Sequence, residues 1–155
     1  MTTIYVREIL LKYRGPRRGT SFEAVSAPEL AATFLRRVLP DPVREHFLTL
    51  FLDQRNQVTG YFVAATGTAA SCPVGTKEIF QAALVSGATS ILVAHNHTSM
   101  PTTPDIQPSA EDLAVTRRLC EAGNLLGIPV VDHLILSQQG FYSFLEHGQI
   151  PPRRT

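Results

Sequence analysis

A chain of 155 residues is long enough for one domain with a sizeable core, and 44% hydrophobic with 17% charged residues is a globular composition, not a disordered one. A net charge of +1 gives no global field to draw in nucleic acid or an anionic membrane. Cys72 and Cys120, the only cysteines, lie far apart and form neither a CxxC nor a disulfide framework. No apolar run approaches the ~18 residues of a membrane span, and the start MTTIYVREILLKYRGPRRG resembles no signal segment, so the expected compartment is the reducing cytoplasm. The local basic clusters, Lys12 to Arg18 and Arg153-Arg154, read as a solvated loop and tail.

Ile4 to Leu11 is β-prone and predicts a first strand, followed by a Gly/Pro/Arg loop to Ser21. Ser26-Ala27-Pro28-Glu29 has the residues of a helix start, with Ser26 as cap. That helix is expected to run to about Leu39 with Leu30, Phe34 and Val38 inward, and Pro40 and Pro42 end it. Glu45 to Asp53 and Val58 to Ala65 predict a strand pair across the turn Gln54 to Gln57. Thr66 to Pro73 reads as loop, and Gly75 to Ala88 as a helix with Ile79, Ala82, Ala83 and Ser86 on one face. Ser90 to His95 is a continuous apolar run and predicts a strand buried on both faces. Thr98 to Pro108 holds three prolines and is a loop.

Ser109 to Asn124 predicts a helix with Leu113, Thr116, Leu119, Cys120 and Gly123 toward the core. Val130 to Leu136 and Phe141 to Phe144 predict a last strand pair, and the tail from Ile150 is expected to fray. With no repeat and no linker, residues 1–155 read as a single α/β domain, a mixed sheet with helices on its faces, whose core lies at about 27–144.

The candidate chemistry gathers around Ser90 to Gly127. His95 and His97 at a strand end point the same way, because side chains alternate faces. The loop can bring Asp112, in the first turn of the next helix, to the same point. Two imidazoles and a carboxylate leave one coordination position open for water, the pattern of a catalytic zinc. A metal-bound water needs a general base and the developing oxyanion needs a donor; Glu45 and Ser109 are the candidates. More ordinary roles exist for each. A strand-end His is commonly just hydrogen-bonded, Ser-x-x-Asp resembles a helix capping box, and Glu45 suits a solvated strand start. Asp132-His133 is a second polar pair, for which a local hydrogen bond is the ordinary reading and orientation of a ligand the sharper one. Asp105 in the loop is a weaker competing ligand, and His46 and His147 look like surface residues.

The order Glu, His-x-His, Ser-x-x-Asp resembles the JAMM (JAB, MPN+) metalloprotease motif. EHFLTLFLDQRNQV, GTKEIFQAALVSGATSILVAHNH and SAEDLAVTRRLCEAGNLLGIPVVDHLIL are similar, in order, to segments of the bacterial RadC-type JAB domain, from about Ala27 to Phe144. The resemblance implies a three-layer fold like that of cytidine deaminases and a zinc hydrolase, a peptidase or isopeptidase using a metal-activated water. It implies one Zn2+ held by His95, His97 and Asp112, with Glu45 as general acid/base and Ser109 supporting the oxyanion. The implied substrate is a protein or peptide, such as one with a ubiquitin-like C-terminal tail. The alternative is a non-catalytic JAB-fold module that binds a protein or DNA partner, the DNA link resting on the family's repair name and the Arg clusters.

The sequence departs from that family in three places. Eleven residues, Thr98 to Pro108, separate the second His from the Ser, about four more than usual. Thr98-Ser99-Met100 stands where Pro-Ser-Gly is common, and an N-terminal helix-hairpin-helix-like region of longer relatives is not expected in a chain of this length. Consecutive His95-Asn96-His97 is not the separated HNH nuclease pattern, and the His-x-Glu and Pro-Cys-x-x-Cys of zinc deaminases are absent.

Overall fold

A computed structural model describes residues 24–67, 74–98, 106–138 and 140–152. The expected strand Ile4 to Leu11, the loop after it, Cys72 and Asp105 lie outside the described residues. The elements are α1 (Pro28–Val38), β1 (Glu45–Leu52), β2 (Val58–Gly67), α2 (Thr76–Ser86), β3 (Ser90–Asn96), α3 (Ala110–Leu126), β4 (Val130–Leu136) and β5 (Phe141–Ser143).

Among the described residues the strands form one mixed sheet in the order β2-β1-β3-β4-β5. β3 and β4 are parallel and the other neighbours antiparallel. The parallel pair needs a crossover, and α3 supplies it. Alternation then divides the core. Leu48, Leu50, Leu92, Ala94 and Leu134 face α1 and pack on Ala31, Ala32, Phe34 and Leu35. Phe47, Phe51, Ile91 and Val93 face the other way and pack on α2 and α3 through Ile79, Phe80, Ala83, Val115 and Leu119. The sheet is thus the middle of three layers, and the α/β expectation holds.

Several local expectations are corrected. Helix α1 starts from Ala27, with no side-chain cap, so Ser26 does not cap it. Its inner face is turned by one residue: Ala31, Ala32, Phe34 and Leu35 are buried, whereas Leu30 is 38% exposed and Val38 only half-buried. The two alanines let the helix lie close to the sheet, a gain in contact that outweighs burying Leu30. Strand β2 continues through Thr66 and Gly67, which the sequence suggested as loop, because both pair with β1 across from His46 and Glu45. In α3, Leu113 is 37% exposed, and Val115 takes its place in the core. That helix is oriented by Asp112, Thr116, Leu119 and Gly123, which share one face; Leu113 sits about 100° around from Asp112. A Cβ at Gly123 would meet the Ile128 carbonyl oxygen at 2.5 Å, so glycine permits this close approach. Gly127 then ends α3 in a left-handed conformation with φ of 69°.

The corrected phase of α1 is testable. Leu35→Ala should cost about 2–5 kcal/mol in urea unfolding, and Leu30→Ala less than about 1 kcal/mol. Equal losses would contradict the observed packing of the helix.

Candidate functional site

His95 is buried on the last turn of pleat in β3, on the α3 side of the sheet, beside Phe47 of β1. His97 lies two residues on, so its side chain projects the same way. Its backbone N–H donates to Leu136 O at 3.1 Å, which extends the β3–β4 ladder beyond the strand and fixes the residue in place. Asn96 projects to the opposite face. Its side chain accepts from His46 N at 2.8 Å and donates to Arg44 O at 2.8 Å, tying the start of β1 to the end of β3. Glu45 is half-buried at that start. Phe47 pairs with His95, so Glu45, two residues earlier, shares its face and stands across from His97.

Ser109 caps α3. Its Oγ accepts from Asp112 N at 3.1 Å, and Asp112 Oδ2 accepts from Ser109 N at 2.8 Å and from Ser109 Oγ at 2.7 Å. The capping box is therefore formed, a contribution of about 1 kcal/mol. It employs one carboxylate oxygen and leaves the other for the histidines: Asp112 Oδ1 lies 3.1 Å from His95 Nε2. Capping and metal ligation are thus compatible roles for Asp112.

The His95 and His97 Nε2 atoms are 2.8 Å apart, and His97 Nε2 is 3.9 Å from Asp112 Oδ2. One donor atom from each of the three side chains lies within 4.8 Å of the others. Ligands on a tetrahedral zinc stand about 3.3 Å apart, so these separations bracket what a small cation needs. The chemistry of the donors agrees. Two imidazole nitrogens and a carboxylate oxygen present electron pairs to one point, an arrangement that is favourable only with a cation, a shared proton or a metal, between them.

Electrostatics favour the ligating protonation states. Burial lowers the pKa of His97, the neighbouring His95 adds to this, and the charges of Asp112 and Glu45 oppose it. For Asp112, burial works to raise the pKa, but the close approach of His95 and the hydrogen bonds from Ser109 outweigh it, so the carboxyl is held well below its usual range.

The pair Asp132-His133 splits its roles. Asp132 serves locally: it accepts from His133 N, Ser143 Oγ and Leu145 N. His133 is fully buried, stacked on Phe144, and lies 2.9 Å by its Nε2 from His95 Nδ1. Its Nδ1 is 2.6 Å from Thr116 Oγ1. His133 contacts a candidate ligand, the contact that orientation of that ligand requires. The sequence signal was a polar pair within an apolar strand; Thr116 gave no signal beyond helical spacing. His46, expected at the surface, is 1% exposed. Its Nδ1 contacts Thr66 Oγ1 at 2.9 Å, and its Nε2 is 3.3 Å from Asp41 Oδ2, an ion-pair distance without hydrogen-bond alignment. The strand pairing of Thr66 covers it. His147 is exposed as expected and stacks on Tyr142.

Residues 25–149 match the family model of the RadC-like JAB domain. The chain belongs to that family. Its relatives include UPF0758 proteins of Geotalea uraniireducens, 37% identical over 136 residues, and of Trichlorobacter lovleyi, 37% identical over 132 residues. The alignments cover 88% and 85% of this chain, and 58% and 56% of those relatives. The UPF0758 protein of Methanosarcina mazei is 34% identical over 80% of this chain and 52% of its own length. The chain thus spans a little over half the length of these curated relatives. In this RadC-like JAB domain, the described residues include no helix long and apolar enough to cross a membrane.

The buried His133 makes a pH-dependent prediction. Burial holds its pKa well below the ordinary value near 6.5, so below that pH the unfolded chain takes up a proton that the native state refuses. Stability from this group is complete above the unfolded pKa and is lost on acidification. In metal-free protein, the stability advantage of wild type over His133→Gln should shrink between pH 7.5 and 5.5 in urea unfolding. A pH-independent difference would contradict a neutral, buried His133.

Proposed function

We propose that this domain is a zinc-dependent hydrolase of the JAMM type that cleaves an amide bond as a peptidase or isopeptidase in the cytoplasm. The observation that carries the reading is the convergence of His95, His97 and Asp112 on one point. Three such donors suit a zinc site that keeps a position open for water. Zinc bound there supplies Lewis acidity and lowers the pKa of a coordinated water.

The remaining work falls to this chain's side chains. Glu45 takes the proton of the attacking water on its carboxylate and returns it to the leaving amine. Its half-buried place on β1, across from His97 and on the same face as His95, supports that role. Ser109 Oγ is exposed at the start of α3. Turning about its Cβ–Oγ bond, the hydroxyl can keep accepting from Asp112 N while its proton leaves Asp112 Oδ2 to meet a developing oxyanion. A cleft of about 470 Å³ lined by Val74, Thr76, Glu111, Ala114, Val115 and Arg118 opens beside the first turns of α3. It suits a segment of a protein or peptide substrate, such as an extended C-terminal tail.

The test is hydrolysis of lysine isopeptide and C-terminal-tail peptides by zinc-loaded protein. Turnover should stop with a chelator and return with zinc, and Glu45→Gln should retain zinc while kcat falls about 10²–10⁴-fold. Chelator-insensitive turnover, full activity of Glu45→Gln, or no turnover of any such substrate would each overturn the proposal.

A further inference from the structure

We propose that Thr116 and His133 are positioning residues that set the tautomer of His95, so that its Nε2 lone pair faces the metal. The proposal rests on the metal-site reading above. It follows from counting protons along one chain of contacts. Thr116 Oγ1 lies 2.6 Å from the Asp112 backbone oxygen. A carbonyl carries no proton, so the hydroxyl donates its only one there. The 2.6 Å contact between Thr116 Oγ1 and His133 Nδ1 must then be donated by His133. His133 is fully buried, and among the described residues no carboxylate is hydrogen-bonded to its ring to support a charge. With its proton on Nδ1, its Nε2 is an acceptor. His95 Nδ1, 2.9 Å away, donates to it. The neutral His95 ring is thereby left with a bare Nε2, 3.1 Å from Asp112 Oδ1 and 2.8 Å from His97 Nε2.

The relay starts on the backbone of one candidate ligand, Asp112, and ends on the side chain of another, His95. It spans α3, β4 and β3, so the seating of α3 on the sheet and the donor state of His95 are set together. The rings are held from the sides as well: His133 lies between Phe47, at 5.5 Å, and Phe144, at 4.5 Å. Such outer contacts fix ring orientation and donor strength at metal sites.

Thr116→Val tests this without altering any ligand side chain. Valine is nearly isosteric and removes the acceptor for His133 Nδ1–H. His133 then moves its proton to Nε2, which forces the His95 proton from Nδ1 to Nε2, where it blocks the metal. Zinc affinity, measured by competition with a chromogenic chelator, should fall about 10–100-fold, and Thr116→Ser should restore it. Long-range ¹H–¹⁵N NMR of metal-free, ¹⁵N-histidine-labelled protein reads the tautomer directly. His95 should be protonated at Nδ1 in wild type and Thr116→Ser, and at Nε2 in Thr116→Val. The same test runs from the other end if Thr116→Val does not fold. His133→Gln can place its Oε1 where Nε2 was and should keep most zinc affinity, whereas His133→Phe should lose it. Wild-type affinity and an unchanged His95 tautomer in Thr116→Val would overturn the relay while leaving the zinc reading intact. A wild type that binds no zinc, yet shows the His95 tautomer and its shift in Thr116→Val, would overturn the zinc reading and support the relay.

Discussion

Two imidazoles on one face of a strand meet a carboxylate from the first turn of a helix, and the rest of the fold serves that meeting. His95 and His97 project together because a strand has period two. Asp112 reaches them because α3 is the crossover between two parallel strands and must begin above the end of β3. Three electron-rich groups held this close repel one another without a shared cation. Their separation is maintained by burial of the leucines, phenylalanines and alanines of the two core layers, which are indifferent to what happens at the strand end.

Asp112 shows how one residue satisfies two demands. The capping box takes Oδ2, and Oδ1 is turned to His95. The cap thereby does more than end a helix neatly: it fixes the rotamer of a candidate ligand at a cost already met by helix formation. Asn96 has a comparable part on the other face. By bonding His46 N and Arg44 O, it anchors the residues on both sides of Glu45.

The architecture was legible where a pattern was strong. The unbroken apolar run of β3, the prolines that end α1, and Ser-x-x-Asp before an amphipathic segment each correspond to an observed feature. The phase of α1 was not legible, because small alanines that permit close packing carry less apparent hydrophobicity than Leu30, which they leave outside. Leu113 misled for a related reason: α3 is rotated to aim Asp112 and Thr116, and a surface leucine is an acceptable consequence. The ligand set could be read from spacing, since two of its members are two residues apart and the third opens a helix. His133 is 38 residues from His95, and Thr116 lies between them in sequence, 17 residues before His133, so the β3–β4 register, with Val93 beside His133, and the packing of α3 bring them together. His46 appeared to be a surface residue because its cover, Thr66, belonged to a stretch that read as loop.

The account stands on a metal at the end of β3. The most direct measurement is elemental analysis of the purified protein after equilibration with zinc and removal of excess, beside His95→Ala. About one zinc per chain in the wild type, lost in the variant, is the predicted result. A wild type without zinc, or a variant that retains it in full, would contradict the account.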